Sequence, residues 1–442
     1  MDRPVLERIF RLGDAGTTVR AEVIGGLTTF VTLSYIVFVQ PAVLGAAAMD
    51  FGAVLVATCL ASAFATAVMG LYANYPIAVA PAMGHNFFFA YTVVVGMGVP
   101  WRVALGADFL AGALFVALAA FRVREAVMDA IPDSLKAAIP VGIGLLIAFV
   151  GMQWGGIVVA NPGSLVKLGR LSAPPTLLAL GGFLLIAVLN LRRVRGAILI
   201  GMLATAVAGG LLGVLPYRGV IGAPPSLAPT LLKLDVAGAL RPQLAWVVFV
   251  FLFLAVFDTV GTLIGVSAQA GFLRAGKLPR AGRALLADAL GTTAGTLLGT
   301  STVTAYIESA AGVASGARTG LANLVTAGLL LLAVFFYPLA RFVGGGVEAG
   351  GAVLYPVTAA ALLTIGYLMI GNVTRIRWDD LGDAIPAFLT MVTMPLALSI
   401  ADGLAMGFVS HALLKTLGGR AREVSWLAYL FAALFLLRLV LA

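Results

Sequence analysis

Apolar residues gather along this chain into runs of fifteen to twenty-five, parted by short polar clusters. About twenty apolar residues in a helix span the ~30 Å hydrocarbon core of a bilayer at 1.5 Å per residue. Runs that read as whole crossings cover residues 22–44, 54–71, 103–121, 135–153, 176–191, 197–215, 245–270, 284–298, 319–340 and 352–370. Two stretches are as apolar but break the helical pattern. In residues 74–91, Pro76 and Pro81 remove backbone donors and push the residue before each towards extended chain. A half-helix from about Met83 completes this third crossing. In residues 299–312, Thr300 to Ile307 is rich in hydroxyls and β-branched side chains, which favour extended chain. Glu308 and a small-residue run then start a second half-helix, in the tenth crossing. Extended backbone at membrane depth is tolerated only where it is buried in protein or lines a cavity. A carboxylate at the start of a half-helix is the arrangement expected of a transporter site.

Residues 383–417, broken by Pro and Gly, read as two short helices that meet near 399–402 and complete a count of fourteen. The apolar stretch 424–441 carries Arg438, and its pattern fits a helix lying on the membrane or crossing it. The two irregular stretches lie half a chain apart, each third in a block of seven crossings. Seven is odd, so the second block inserts upside down. Paired interrupted segments in inverted repeats point to a substrate site.

Composition turns this pattern into a class. Of 442 residues, 61% are hydrophobic and 11% charged, so the chain is an all-α polytopic membrane protein. Its net charge of +9 does not point to nucleic acid, because no soluble basic domain carries it. The basic residues sit between apolar runs, as topogenic charge does. Arg3, Arg8, Arg11 and Arg20 precede the first run. Later clusters are Arg122/Arg124, Arg192/Arg193/Arg195, Arg274/Lys277/Arg280/Arg283, Arg375/Arg377 and Lys415/Arg420/Arg422. If crossings alternate, all share the side of the N-terminus, which the positive-inside rule makes cytoplasmic. Lys167, Arg170, Lys233 and Arg241 fall on the other side and weaken the asymmetry. The first run is long and lacks a cleavage site, so it reads as a retained helix in the cell membrane.

Several chemistries drop out. Cys59 is the single cysteine, so neither an internal disulfide nor a cysteine metal cluster forms. Gly271 to Lys277 has phosphate-loop spacing, but Leu278 replaces the Ser or Thr that binds Mg²⁺, and a membrane helix precedes it. With no catalytic triad, metal cluster or dinucleotide fingerprint, neither an enzyme nor a cofactor is expected.

The remaining candidates are polar groups within apolar runs. Asp258 lies mid-run, where an ionisable group costs about 3 kcal/mol even on lenient insertion scales, so it faces a cavity or a partner. The same holds for Glu308, whose carboxylate can accept N–H bonds from the edge of a planar ligand or hold a proton. Asn86 offers one acceptor and two donors, suited to an amide-bearing heterocycle, although capping the half-helix is an alternative role. His85 could titrate near neutral pH, against the commoner role of a packed histidine. Among Phe87 to Phe89 and Tyr91, Phe87 is placed to stack on a ligand. Asp288 can pair within the core near the site, Asp379 and Asp380 fit the interface, and His411 reads as packing.

These residues resemble the AzgA-like purine permeases, a branch of the nucleobase–ascorbate transporter superfamily. The likeness rests on Gly26-Leu-Thr-Thr-Phe30 with Ser34-Tyr-Ile36, Met83-Gly-His-Asn86, Phe257-Asp-Thr-Val-Gly-Thr-Leu263, Gly299-Thr-Ser-Thr-Val-Thr304, Glu308-Ser-Ala-Ala-Gly-Val313, Arg318-Thr-Gly-Leu321 and Ala384-Ile-Pro-Ala-Phe388. It implies two inverted repeats of seven crossings. A core domain would comprise residues 1–121 and 243–341, and a gate domain residues 122–242 and 342–442, often paired into a homodimer. It also implies proton-coupled import of adenine, guanine or hypoxanthine. The family's binding acids carry over to Asp258 and Glu308, either of which could hold the proton, and its asparagine to Asn86. By similarity to the related uracil transporters, backbone near Phe87, Tyr306 and Ile307 would contact the base. His85 departs from the family's usual apolar residue, and Ala82 from its usual glycine. An anion exchanger or channel of the same inverted-repeat fold is the competing expectation, but it would favour basic groups or bare half-helix N-termini at the centre.

Overall fold

Apolar runs become helices wherever a cap and a breaker bound them. Thr18 accepts from the Ala21 N–H at 3.2 Å and opens α1 (Val19–Leu33). The chain kinks at Ser34 and Tyr35 and continues as α2 (Ile36–Gly45), the two making one 27-residue crossing. Asp50 caps α3 (Phe51–Val68), which runs on through a wider π turn to Ala73. The structure, a computed structural model, describes residues 5–121, 131–273 and 278–441. The Arg122/Arg124 pair and Arg274 and Lys277 lie outside the described residues.

After strand β1 (Val79–Pro81) comes the half-helix α4 (Met83–Phe87), then α5 (Trp101–Phe121), α6 (Asp133–Trp154), α7 (Pro174–Leu191) and α8 (Ala197–Leu211). The second half holds α9 (Ala245–Ala270), α10 (Ala281–Leu298), strand β2 (Val303–Ala305), the half-helix α11 (Ser309–Ala314) and α12 (Gly320–Ala333). Then follow α13 (Pro356–Ile370), α14 (Leu381–Ala397), α15 (Ile400–Leu417) and α16 (Trp426–Leu441). Among the described residues, eight helices are long and apolar enough to cross a membrane, and three shorter apolar ones join them. The chain is a helical polytopic membrane protein. The extended segments expected within residues 74–91 and 299–312 are present as β1 and β2, which pair with each other, and two small hairpins form in loops besides. One of these hairpins takes up Ala352–Leu354, so α13 starts at Pro356, later than the apolar run suggested.

The helices sort by packing. In one set α1, α3, α5, α10 and α12 pack on one another, with α9 against α5; in the other α6 packs on α13 and α14, and α7 on α8 and α13. Small residues let backbones approach where lipid supplies no hydrophobic drive between helices. A Cβ on Gly144 would stand 2.8 Å from the Gly366 carbonyl, so the α6–α13 contact needs glycine there. Glu22, buried on α1, accepts the N–H groups of Arg318, Thr319 and Ala322 at 2.8–3.1 Å. An anion at the start of a helix is favoured by the helix dipole, so Glu22 fixes α1 to α12.

The last helix packs along its predecessor. Thr416, at the end of α15, meets Tyr429 near the start of α16 at 2.6 Å. Asp402, near the start of α15, pairs with Arg438 near the end of α16 at 2.6 Å. α16 therefore runs antiparallel along the length of α15, with Phe431 and Phe435 wedged between Phe249 on α9 and Phe408 on α15.

Candidate functional site

The two irregular stretches meet. β1 and β2 pair antiparallel with Val79 opposite Ala305, Ala80 opposite Thr304 and Pro81 opposite Val303, all six buried. The Ala82 N–H donates to the Thr302 carbonyl at 3.1 Å and the Tyr306 N–H to the Ala78 carbonyl at 2.9 Å, extending the ribbon at each end. Extended chain inside a membrane is satisfied here by its counterpart in the other half of the sequence. Because the strands are antiparallel, α4 and α11 leave the ribbon from opposite ends.

Side chains from three helices pin this ribbon. Asp108 on α5 is fully buried and accepts both the Thr302 N–H, at 2.8 Å, and the Thr302 hydroxyl. Gln40 on α2 donates to the Thr300 and Ser301 hydroxyls at 3.0 and 2.9 Å, and its carbonyl accepts from the Asn86 amide at 2.7 Å. Asn86 is thus one link in a chain joining the two irregular stretches, while its own carbonyl oxygen has no protein partner. Asp288 on α10 accepts from the Thr259 hydroxyl at 2.6 Å beside Asp258, a pairing in the core of the kind expected.

Glu308 and Asp258 are the half-open acids of the site. Glu308 immediately precedes α11 but makes no side-chain cap to it. Its carboxylate accepts instead from the Tyr35 hydroxyl at 2.7 Å, at the kink between α1 and α2. Asp258, mid-way along α9, keeps 31% of its side chain exposed, while His85 beside it is fully buried. Tyr306 lies in electrostatic range of both acids. Its hydroxyl and N–H are engaged by the Pro81 and Ala78 carbonyls. Ile307 is 63% exposed. The Phe87 ring is buried and stacks on Tyr91 at 5.6 Å between centroids.

Sequence reasoning passed over Asp108, Gln40 and Tyr35. Asp108 carried a usable signal, a carboxylate inside the apolar run 103–121, by the same argument that singled out Asp258. Gln40 and Tyr35 carried none, since each is ordinary in an apolar helix until its partner is known. The other charged groups lie elsewhere. Asp380 joins Arg420 and Lys415, and Asp383 lies beside His411 and Lys415, all where α14 begins and α15 ends. Two surface cavities of about 640 Å³ each are also remote, one beside Trp246 and Arg438 and one beside Tyr75 and Arg318.

Known proteins share this layout and much of this sequence. The profile described as the Permease family matches residues 20–406. The adenine permease AdeP of Escherichia coli (strain K12) is 45% identical over 437 residues, covering 99% of this chain and 96% of that protein. The guanine/hypoxanthine permease PbuG of Bacillus subtilis (strain 168) is 45% identical over 444 residues, covering 98% and 99%. Among solved structures, the transmembrane domain of a cyanobacterium bicarbonate transporter, BicA, superposes with a TM-score of 0.65 over 87% of this chain and 97% of that one. At 17% identity that likeness speaks for the fold alone. The paired half-helices and the sequence agree with one another: the chain belongs to the purine-permease branch of the nucleobase–ascorbate transporter superfamily.

Proposed function

We propose that this protein is a secondary active transporter that imports a purine nucleobase (adenine, guanine or hypoxanthine) by proton symport with alternating access. The observation that carries this reading is the pair of partly exposed carboxylates, Glu308 and Asp258, both in electrostatic range of Tyr306 beside a ribbon shared by two half-helices. Carboxylates accept the N–H groups on the edge of a purine, and either can carry a proton that offsets buried charge. In this reading Asn86, Ile307, Phe87 and Tyr306 complete the binding site around the two acids. Relatives named for adenine and for guanine/hypoxanthine are equally similar to this chain, so identity supports the purine class rather than one base.

In this reading the fourteen crossings form two inverted repeats of seven, with α16 added after them. Residues 1–121 and 243–341 are the core, and 122–242 and 342–442 the gate. The packing of α1, α3, α5, α9, α10 and α12 apart from α6, α7, α8, α13 and α14 supports that division. The core moves against the gate, gates of two copies pair into a homodimer, and the N-terminus is cytoplasmic. The Arg192 cluster supports this siding, because Arg195 reaches Ser315 and Thr17 reaches Gly316 on one face. An anion exchanger draws support from the fold alone. Among the described residues, no arginine or lysine pairs with Asp258, Glu308, Asp108 or Asp288 to hold an anion.

The test is a binding panel on purified protein. Adenine, guanine or hypoxanthine should bind, with uracil, ascorbate and bicarbonate much weaker. A panel in which no purine binds refutes the reading.

A further inference from the structure

His85 sits next to Asn86 in sequence but in a different situation. It is fully buried, and neither ring nitrogen has a hydrogen-bond partner. A buried neutral imidazole has one N–H to give and one lone pair to fill, so this state is costly unless charge is involved. Two carboxylates supply that charge. Asp258 Oδ2, on α9, stands 3.4 Å from His85 Nδ1, within ion-pair reach but not aligned as a hydrogen bond. Asp108, on α5, lies within electrostatic range of the ring. The other elements against α4 bring no further charge among the described residues: α2 offers Gln40, and α6 sets Ile143 beside Gly84. Next outward come Asp288, in range of Asp258, and Tyr306, between Asp258 and Glu308, with Tyr35 on Glu308.

We propose that His85 is the seat of the coupling proton, taking it through Asp258 as the base binds and returning it to water when the base leaves. This rests on the reading of the protein as a proton-coupled purine permease. Imidazole is the side chain whose ordinary charge change falls between pH 5 and 8. As an imidazolium between Asp258 and Asp108, His85 cancels one of the negative charges that would otherwise crowd a buried site. Asp258 is the partly exposed member of the pair and His85 the buried one, so the proton reaches the ring by way of Asp258. With Oδ2 turned to His85, its Oδ1 is left to accept an N–H from the base. Only a proton moves; no covalent bond between heavy atoms forms or breaks.

The chain holds two histidines, so His411→Gln protein leaves a single imidazole for nitrogen-15 NMR. In that ligand-free protein the His85 signal should change with pH, and Asp258→Asn should move the change to lower pH by removing the facing negative charge. A signal that ignores pH between 5 and 8, or that Asp258→Asn leaves where it was, overturns the proposal whatever the protein transports. The second arm is calorimetry of adenine, guanine and hypoxanthine in buffers of different protonation heat. The parent should take up protons with the base, and His85→Gln should bind base with that uptake lost; His85→Leu is the second variant if the first does not fold. Undiminished uptake in a folded variant overturns the proposal. A parent that binds no purine sinks the functional reading, and the NMR arm then still decides whether His85 and Asp258 share a proton.

Discussion

At the scale of residues, the site shows what a buried acid requires. Asp108 and Asp288 are closed off, Asp108 accepting from Thr302 with both oxygens and Asp288 from Thr259 with one. Asp258 and Glu308 remain partly open, each with one near partner, His85 and Tyr35. That difference separates acids that build the site from acids that can meet a ligand. A charged, buried hydrogen bond to a ligand loses about 2–5 kcal/mol when one partner is removed. Glu308→Ala should therefore weaken purine binding by tens- to thousands-fold while the protein still folds. Glu308→Gln, which keeps the shape and one acceptor, should retain more binding than Ala. Titration calorimetry of both variants checks this, and Ala at parental affinity would remove Glu308 from the site.

At the scale of elements, ends and junctions are where polar chemistry concentrates. Glu22 ties α1 to the start of α12, Asp108 ties α5 to the ribbon, and Gln40 ties α2 to both irregular stretches. A second junction forms where α14 begins and α15 ends. Asp380 accepts from Arg420 at 2.7 and 2.8 Å, from Lys415 at 3.0 Å and from the Gly382 N–H at 2.9 Å. The Arg420 guanidinium first, and then Lys415, hold its carboxyl well below the usual carboxylate range. A carboxyl so depressed contributes stability that is fully present above the ordinary carboxylate pKa of about 4 and is lost as pH falls below it. The thermal midpoint of the parent should thus exceed that of Asp380→Asn at neutral pH, and the gap should narrow below about pH 4. A gap of constant size across that window would show that this junction does not depend on the Asp380 charge.

At the scale of the whole molecule, the two halves complete each other. Neither β1 nor β2 could lie in a membrane alone, and each satisfies the other's backbone across more than two hundred residues of chain. α16 extends this logic to the end of the chain. Its contacts run from Thr416 to Asp402 along α15, so Arg438 stands at the opposite end of α15 from the Lys415 cluster. A tag after residue 442 should therefore lie across the membrane from a tag before residue 1. Accessibility of the two tags in intact cells and in inverted vesicles measures this, and tags on the same side would mean that α16 does not cross.

The sequence by itself determined the membrane class and most helix positions, and it singled out two acids. The reason is that lipid imposes its demands locally: a crossing needs a run of apolar residues wherever it falls, and a carboxylate within that run stands out. Residues 79–81 and 303–305 could be read as extended for the same local reason, from proline and from hydroxyl and β-branched residues. Their pairing, its register and the groups that hold it were decided only in three dimensions. Gln40 and Tyr35 are unremarkable in an apolar helix until the partner approaches from far along the chain, and nothing next to His85 in sequence reveals that Asp258 faces it. The path of α16 was likewise undecidable from its composition, because an apolar helix of that length suits a membrane surface or a crossing equally. Its contacts set it along α15 and against α9, since tertiary packing alone fixes which neighbour a helix lies along.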